Sequence, residues 1–256
     1  MHPEAKRPVK TVETAFELLE IIKRNNGATL AEIADEHDIA KSTAHRHLQT
    51  LVRSGFVVKK DRTYGIGLKF LEYGIHARRI KSYRLAKAKT KELAQKTAER
   101  VQFIVEENGR GIYVYRKTGE NAVHTDPGIG KPCPLHATAA GKAILSQLPE
   151  ERVGRIIENR GLPRFTDSTI TDEATLYREL EEGRERNYCI NNQENIDGIR
   201  GLGAPILSKD GDVIGALSVS GPVHRFSDEW FEKEVPKLVL GATNEIELNA
   251  AYAREV

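Results

Sequence analysis

Apolar positions recur at three- and four-residue spacing through the first hundred residues and give way to alternation after Val101, so the chain reads as a helical front and a strand-rich rear. From Thr11, TVETAFELLEIIKRNNG puts Val12, Phe16, Leu19 and Ile22 on one face and stops at Asn25-Asn26-Gly27, which predicts a supporting helix. Its T-x-x-T start lacks an acidic partner, so the first turn is expected to fray. Thr29 and Glu32 then form a T-x-x-E capping box that ties up two N–H groups at a helix start, with Leu30, Ile33, Ala34 and His37 on one face. After a turn at Asp38-Ile39-Ala40, a third helix runs to about Ser54, where Gly55 suits its end.

The third helix has two stripes. Ala44, Leu48, Leu51 and Val52 share an apolar face, while Ser42, His45, Arg46, Gln49 and Arg53 share a polar one. Past Gly55, Phe56–Val58 and Thr63–Ile66 read as two short strands joined by a charged tip, Lys59-Lys60-Asp61-Arg62. Helix, turn, helix and basic hairpin in that order predict a winged helix-turn-helix. The polar stripe is the candidate reading head, because the major groove admits one helix and Arg, Gln and Ser tips can bond base edges or phosphates. Thr43 and Thr50 flank the stripe and are placed for the sugar–phosphate backbone, and Lys59, Lys60 and Arg62 suit phosphates. His45 points with the stripe, but a neutral imidazole reads ambiguously; His47 falls nearer the apolar edge. Lys6 and Arg7 belong to an N-terminal arm with no assigned contact.

Charge sharpens this picture. Residues 1–100 hold 21 Lys and Arg against 12 Asp and Glu, whereas residues 101–256 hold 18 against 25. A net of +9 in front is what counterion release from a polyanion rewards, and −7 behind discourages wrapping the whole chain in DNA. The sequence has no run of 18 apolar residues and no hydrophobic leader, so neither a membrane partner nor export is expected and a cytoplasmic location is. Cys133 and Cys189 are too few for a disulfide scaffold.

Behind the wing, Leu68–Arg79 is helical in pattern, with Leu68, Leu71 and Ile75 in register, and Lys81–Arg100 follows as a basic helix. Three segments result: a DNA-binding domain over residues 1–67, connecting helices over 68–100, and a second domain over 101–256. One reading helix and one wing cover half a palindrome, so apolar residues left over on the first and connecting helices are expected to join two chains. From Val101, VQFIVEEN, GIYVYRKTG and NAVHTD read as strands with a hairpin signal at Asn108-Gly109. A Gly/Pro-rich loop then enters a helix over about Thr138–Leu148. PEERVGRIIENRG and TDEATLYRELEEGRERN are two further helices, the second capped near Thr171 or Asp172. YCINNQEN, GIRGLGAPIL and DVIGALSVSG return to strands, and a final helix starts near Ser227. The whole is α+β, its rear half an α/β domain on an antiparallel sheet.

Two constellations in the rear half bear chemistry. The loop from Asp126 to His136, with Gly130 and Leu135, delivers the chain to a helix start near Ala137, where free N–H groups favour an anion. Ala137, Thr138, Ala139 and Ala140 leave room for close approach, and Ser218 and Ser220 put two hydroxyls on one face of a strand. Against this, Cys133-x-x-His136, with Cys189 and His124 elsewhere, offers thiol and imidazole to a metal or a nucleophilic enzyme, but no second pair stands at zinc spacing. Accordingly no catalytic set, metal site or cofactor is assigned. A nonspecific architectural DNA binder is the other alternative, and it would leave about 150 residues without a task.

S-T-x-x-R at Ser42–Arg46, PLHATAAGKA at Pro134–Ala143, GIRGLGAPI at Gly198–Ile206 and ALSVSGP at Ala216–Pro222 occur in one order over nearly the full length, and with them the chain resembles the IclR family of transcriptional regulators. The resemblance implies a GAF-like effector domain, homodimers or dimers of dimers on double-stranded operator DNA, and a small organic acid or related metabolite as signal. It also places Asn191 and Gly201 across the effector pocket from the serines. Many relatives carry an acidic residue at the Asn191 position and a cysteine near Gly201, so the pocket is expected to be wider and less charged on that side, suiting a larger or more polyhydroxylated, sugar-derived compound.

Overall fold

A computed structural model describes residues 8–122, 128–226 and 228–252, so His124, Asp126 and most of the expected strand NAVHTD lie outside the described residues. The chain divides into two compact units, one reaching Arg79 and the other beginning at Ile80.

In the first unit, α1 (Lys10–Arg24), β1 (Ala28–Thr29), α2 (Leu30–His37), α3 (Lys41–Arg53), β2 (Val57–Lys60), β3 (Thr63–Ile66) and α4 (Lys69–Ala77) follow in order. The capping box forms: Thr29 Oγ1 accepts from the Glu32 N–H at 3.3 Å, and the Glu32 carboxylate accepts the Thr29 N–H at 2.7 Å. Those bonds hold the Glu32 carboxyl below the usual carboxylate range. α1 is rotated from its expected face. Leu18, Leu19, Ile21 and Ile22 are buried, whereas Val12 and Phe16 are 51% and 61% exposed. Leu18 and Ile22, one turn apart, join Ile33, Leu48, Val57 and Tyr64 in one core, and this packing outweighs the more regular Val12-Phe16 spacing. Val9 offers α1 no side-chain cap.

The wing is tighter than expected. Lys59 pairs with Tyr64 and Lys60 with Thr63, so both lysines belong to the strand and the turn is Asp61-Arg62 alone, with Asp61 in the left-handed region at φ 55°. The two-residue strand β1, missed in the sequence, completes the sheet in the order β1-β3-β2. α4 buries none of its residues, and Leu68, Leu71, Tyr73 and Ile75 are exposed within this unit.

The second unit is a six-stranded antiparallel sheet, order β6-β5-β4-β9-β8-β7, with a helical layer on each face. Its strands are β4 (Arg100–Glu107), β5 (Arg110–Thr118), β6 (Pro132–Cys133), β7 (Cys189–Asn192), β8 (Ile199–Leu207) and β9 (Val213–Pro222). On one face α5 (Lys81–Thr97) and α9 (Asp228–Tyr252) cover Val101, Phe103, Leu202, Ala204, Leu217 and Val219. On the other, α6 (Ala139–Leu145), α7 (Glu150–Arg160) and α8 (Glu173–Arg186) cover Ile104, Tyr113 and Ala216. Alternation along β4 and β9 thus aims one set of side chains at α5 and α9 and the next at α6.

Three boundaries differ from expectation. α5 ends at Thr97, because Ala98 turns left-handed at φ 54° and β4 is under way by Arg100. α6 begins at Ala139 and stops at Leu145, with Thr138 as its cap. Asp172, of the two candidates, caps α8 by accepting the Thr175 N–H at 2.9 Å. At the crossing of α6 over β8, a Cβ on Gly203 would lie 2.6 Å from the Ala140 nitrogen, so only glycine lets the two backbones meet there.

Candidate functional site

The first site is a surface. Ala44 and Leu48 anchor α3 in the core at 0% exposure, and that orientation turns the opposite stripe outward. Ser42, Thr43, His45, Arg46, Gln49, Thr50 and Arg53 are all exposed, as are Lys59, Lys60 and Arg62 on the hairpin; His47 is half-buried at the edge. Arg46, Arg53, Lys60 and Arg62 carry no carboxylate partner among the described residues, so their charge is available to phosphates. Two details refine individual roles. The Thr50 hydroxyl donates to the Arg46 carbonyl at 3.0 Å and so is turned toward its own helix. Gln49 Nε2 sits 3.3 Å from His45 Nε2, which links these two tips. Lys59 Nζ lies 5.2 Å from the Tyr64 ring centroid, and Lys69 Nζ donates to Ser54 O at 2.9 Å, tying the end of α3 to the start of α4.

The second site is a cavity of about 70 Å³ over the α6 face of the sheet. The register builds its floor: Arg100 stands opposite Ser220, Ser220 opposite Gly201, and Gly201 opposite Asn191, a row across four strands. Gln102 and Ser218 form the next row. The Gln102 amide is satisfied with its NH2 donating to Ser218 Oγ at 3.1 Å and its oxygen 3.2 Å from both Arg100 Nε and Ser220 Oγ. Arg100 Nε also donates to Ser220 Oγ at 3.3 Å. Burial, reinforced by nearby Arg116, holds the Arg100 guanidinium below the usual arginine value. Thr138, Ala139, Tyr113, Asn195, Ile196 and Ile199 close the walls. Hydroxyls, amides and one guanidinium against apolar walls suit a small polar ligand with an anionic end.

Of the residues expected here, Thr138, Ala139, Asn191, Gly201, Ser218 and Ser220 converge on the cavity. Five do not. Leu135 and His136 line a separate cavity of about 290 Å³, with Ile156, Leu162, Pro163 and Phe165, on the far side of the loop. His136 Nε2 donates to Pro163 O at 3.1 Å, and burial keeps its imidazole below the ordinary value. Ala137 and Ala140 are buried, Ala140 against the backbone of β8, and Gly130 donates its N–H to Tyr113 O at 2.8 Å. The expected anion site at the helix start is also altered: α6 has only seven residues, and Thr138 Oγ1 already accepts the Gly141 N–H at 3.2 Å. Arg100, Gln102 and Tyr113 were missed in the sequence; the alternation Arg100, Gln102, Ile104 between Val101, Phe103 and Val105 was the available signal.

The Cys133–His136 pair does not assemble a nucleophile. Burial pushes the Cys133 thiol up to about 12, its neighbours are Tyr113 and Thr138, and the His136 Nε2 proton is committed to Pro163. Burial likewise takes Cys189 to about 12. Among the described residues no cluster of three or more His, Cys, Asp or Glu is placed to hold a metal, and no helix is long and apolar enough to cross a membrane.

A basic reading helix with its wing, followed by a sheet domain enclosing a polar cavity, defines a helix-turn-helix transcriptional regulator with a ligand-sized sensor unit. Residues 11–61 match the IclR helix-turn-helix domain and residues 76–248 match the bacterial transcriptional regulator IclR C-terminal domain, so the chain belongs to the IclR family. It is similar to a protein of Halobacterium salinarum named as the probable HTH-type transcriptional regulator ArcR, 36% identical over 99% of this chain and 100% of the relative. It is also similar to the HTH-type transcriptional regulator KdgR of Escherichia coli, 29% identical over 90% of this chain and 89% of that one. The crystal structure of the Thermotoga maritima IclR superimposes with a TM-score of 0.81 at 31% identity, covering 96% of this chain and all of that one.

Proposed function

We propose that the chain reads a palindromic operator as a homodimer through α3 and the wing, and that a small organic acid bound in the 70 Å³ cavity alters its grip. The row Arg100–Ser220–Gly201–Asn191 carries this reading, because four strands bring hydrogen-bonding groups to one buried spot that the fold itself leaves unfilled. Val12 and Phe16 on α1, with Leu68, Leu71 and Ile75 around α4, supply the apolar surface that a second copy covers. Occupancy of the cavity then biases how two half-sites are presented, and a coupling of about 1–3 kcal/mol makes a useful switch. Further pairing of dimers fits the same surface logic. The protein works in the cytoplasm as a regulator rather than an enzyme.

The test is to select genomic fragments with the purified full chain at moderate salt and titrate the winning fragment with short-chain 2-oxo and 2-hydroxy acids. The expected outcome is preference over random competitor and at least one acid that shifts affinity. Equal binding to all fragments refutes operator recognition, and a winning fragment indifferent to every acid refutes the sensing role.

A further inference from the structure

Away from the groups that face the ligand, the second unit gathers three charged side chains around one buried lysine. Lys142 on α6 is 1% exposed, and its Nζ donates to Glu194 Oε1 at 2.8 Å and to Glu179 Oε1 at 3.2 Å. Arg186 reaches the same Glu179 oxygen at 3.2 Å. Glu194, 6% exposed, takes a second bond on Oε1 from the Asn192 N–H at 3.2 Å, and its Oε2 is buried with no hydrogen-bond partner among the described residues. Burying an ion pair is costly, and an apolar pair of the same volume would hold a fold as well or better. Bulk stability therefore does not account for this one.

Position does. Glu194 lies in the turn between β7 and β8, whose Asn195 and Ile196 wall the effector cavity. The turn is closed at its neck by Gln193, whose N–H donates to Ile199 O and whose side chain accepts the Gly198 N–H, both at 3.0 Å. Threonine hydroxyls hold its backbone from inside, Thr166 donating to Gln193 O at 2.7 Å and Thr169 to Glu194 O at 2.6 Å, and the Glu194 carboxylate adds the tie to Lys142 on α6. The Glu194 N–H in turn donates to Asn191 Oδ1 at 2.8 Å. With its oxygen committed, the Asn191 amide has one orientation left, and Asn191 is 6% exposed and lines the cavity. Its NH2 has no hydrogen-bond partner among the described residues.

We infer that the Lys142–Glu194 ion pair positions the effector-reading wall: it pins the turn over residues 192–198 to α6 and so fixes Asn191 as a hydrogen-bond donor toward an acceptor atom of the ligand. The inference rests on reading the cavity as the effector site, but its test requires no ligand. In the full-length protein, Lys142→Met with Glu194→Gln removes both charges together and leaves no unpaired buried ion. Hydrogen exchange of the peptide spanning residues 190–199 is expected to quicken about tenfold, with β8, β9 and α6 within about twofold of wild type and the thermal midpoint held. Glu194→Gln alone keeps an acceptor for Lys142 and the Asn192 N–H and is expected to fall between, which covers the case of a double variant that folds poorly. Exchange within twofold of wild type in this segment overturns the inference; so does a rise spread evenly over the unit with a fallen midpoint, which marks a pair that merely holds the fold. Either failure leaves operator selection and its acid dependence standing, and their failure leaves the exchange result standing.

Discussion

Gly203→Ala is a sharp probe of the contact that places α6 over the sheet. The added Cβ would stand 2.6 Å from the Ala140 nitrogen, 2.7 Å from the Ala139 carbonyl carbon and 2.8 Å from its oxygen. Ordinary contact begins at 3.4 Å, so one backbone must retreat by about 0.8 Å. Neither has slack: β8 is bonded to β7 and β9 on its two sides, and all seven residues of α6 are buried. The obstacle is backbone, not the tip of a flexible side chain, so the overpacking penalty of about 1–3 kcal/mol applies at its upper end. Trp230, the one tryptophan of the chain, sits against Phe226 in the core of the second unit, and its fluorescence reports that unit alone. In urea the Trp230 transition is expected to move to lower denaturant by that amount with unchanged slope. A midpoint within about 0.5 kcal/mol of wild type refutes the claim that glycine is required at this crossing.

Thr29→Ala removes the hydroxyl half of the α2 capping box while keeping the backbone N–H bond to the Glu32 carboxylate, and should cost the first unit about 1 kcal/mol, seen by far-UV circular dichroism while Trp230 fluorescence holds its midpoint. Burial holds the Glu247 carboxyl above the usual carboxylate range although the Leu207 N–H pulls it down. A raised folded pKa favours the protonated acid, so the handicap is absent below the ordinary carboxylate range and grows as pH rises through the raised value. Glu247→Gln should therefore raise the thermal midpoint near neutral pH and lose that advantage in mild acid; equal midpoints at both pH values would contradict the sign. Arg46→Ala should weaken operator binding by about 1–3 kcal/mol at one base position if the guanidinium reads a base, whereas a uniform loss with a shallower salt dependence identifies a phosphate anchor.

Local signals carried well from sequence to structure where one element decides its own limits. The Thr29–Glu32 box and the Asp172 cap each fix a boundary through bonds between near neighbours. What was not legible depended on partners distant in the chain. β1 is two residues that exist as a strand only because Tyr64 and Thr63 lie alongside. The face of α1 was set by Leu48 and Tyr64, over the claim of its own spacing. In the cavity, Ser218 and Ser220 announced themselves by alternation, but Arg100 was hidden because Glu99 and Arg100 looked like the end of a basic helix. Leu135 and His136 were misplaced for a related reason: once Pro132-Cys133 pairs with β5, the loop passes its side chains to the opposite cavity.

The left-handed turn at Ala98 leaves one residue, Glu99, between the foot of α5 and Arg100 in the cavity floor, and Glu99 is itself clamped by Arg225 at 2.7 Å. Seventeen helical residues span about 25 Å, so a tilt of about three degrees at that foot displaces the far end by about an ångström. The cavity floor thus lies two residues from the foot of a helix whose other end adjoins Ile80, where the second unit takes over the chain from the first.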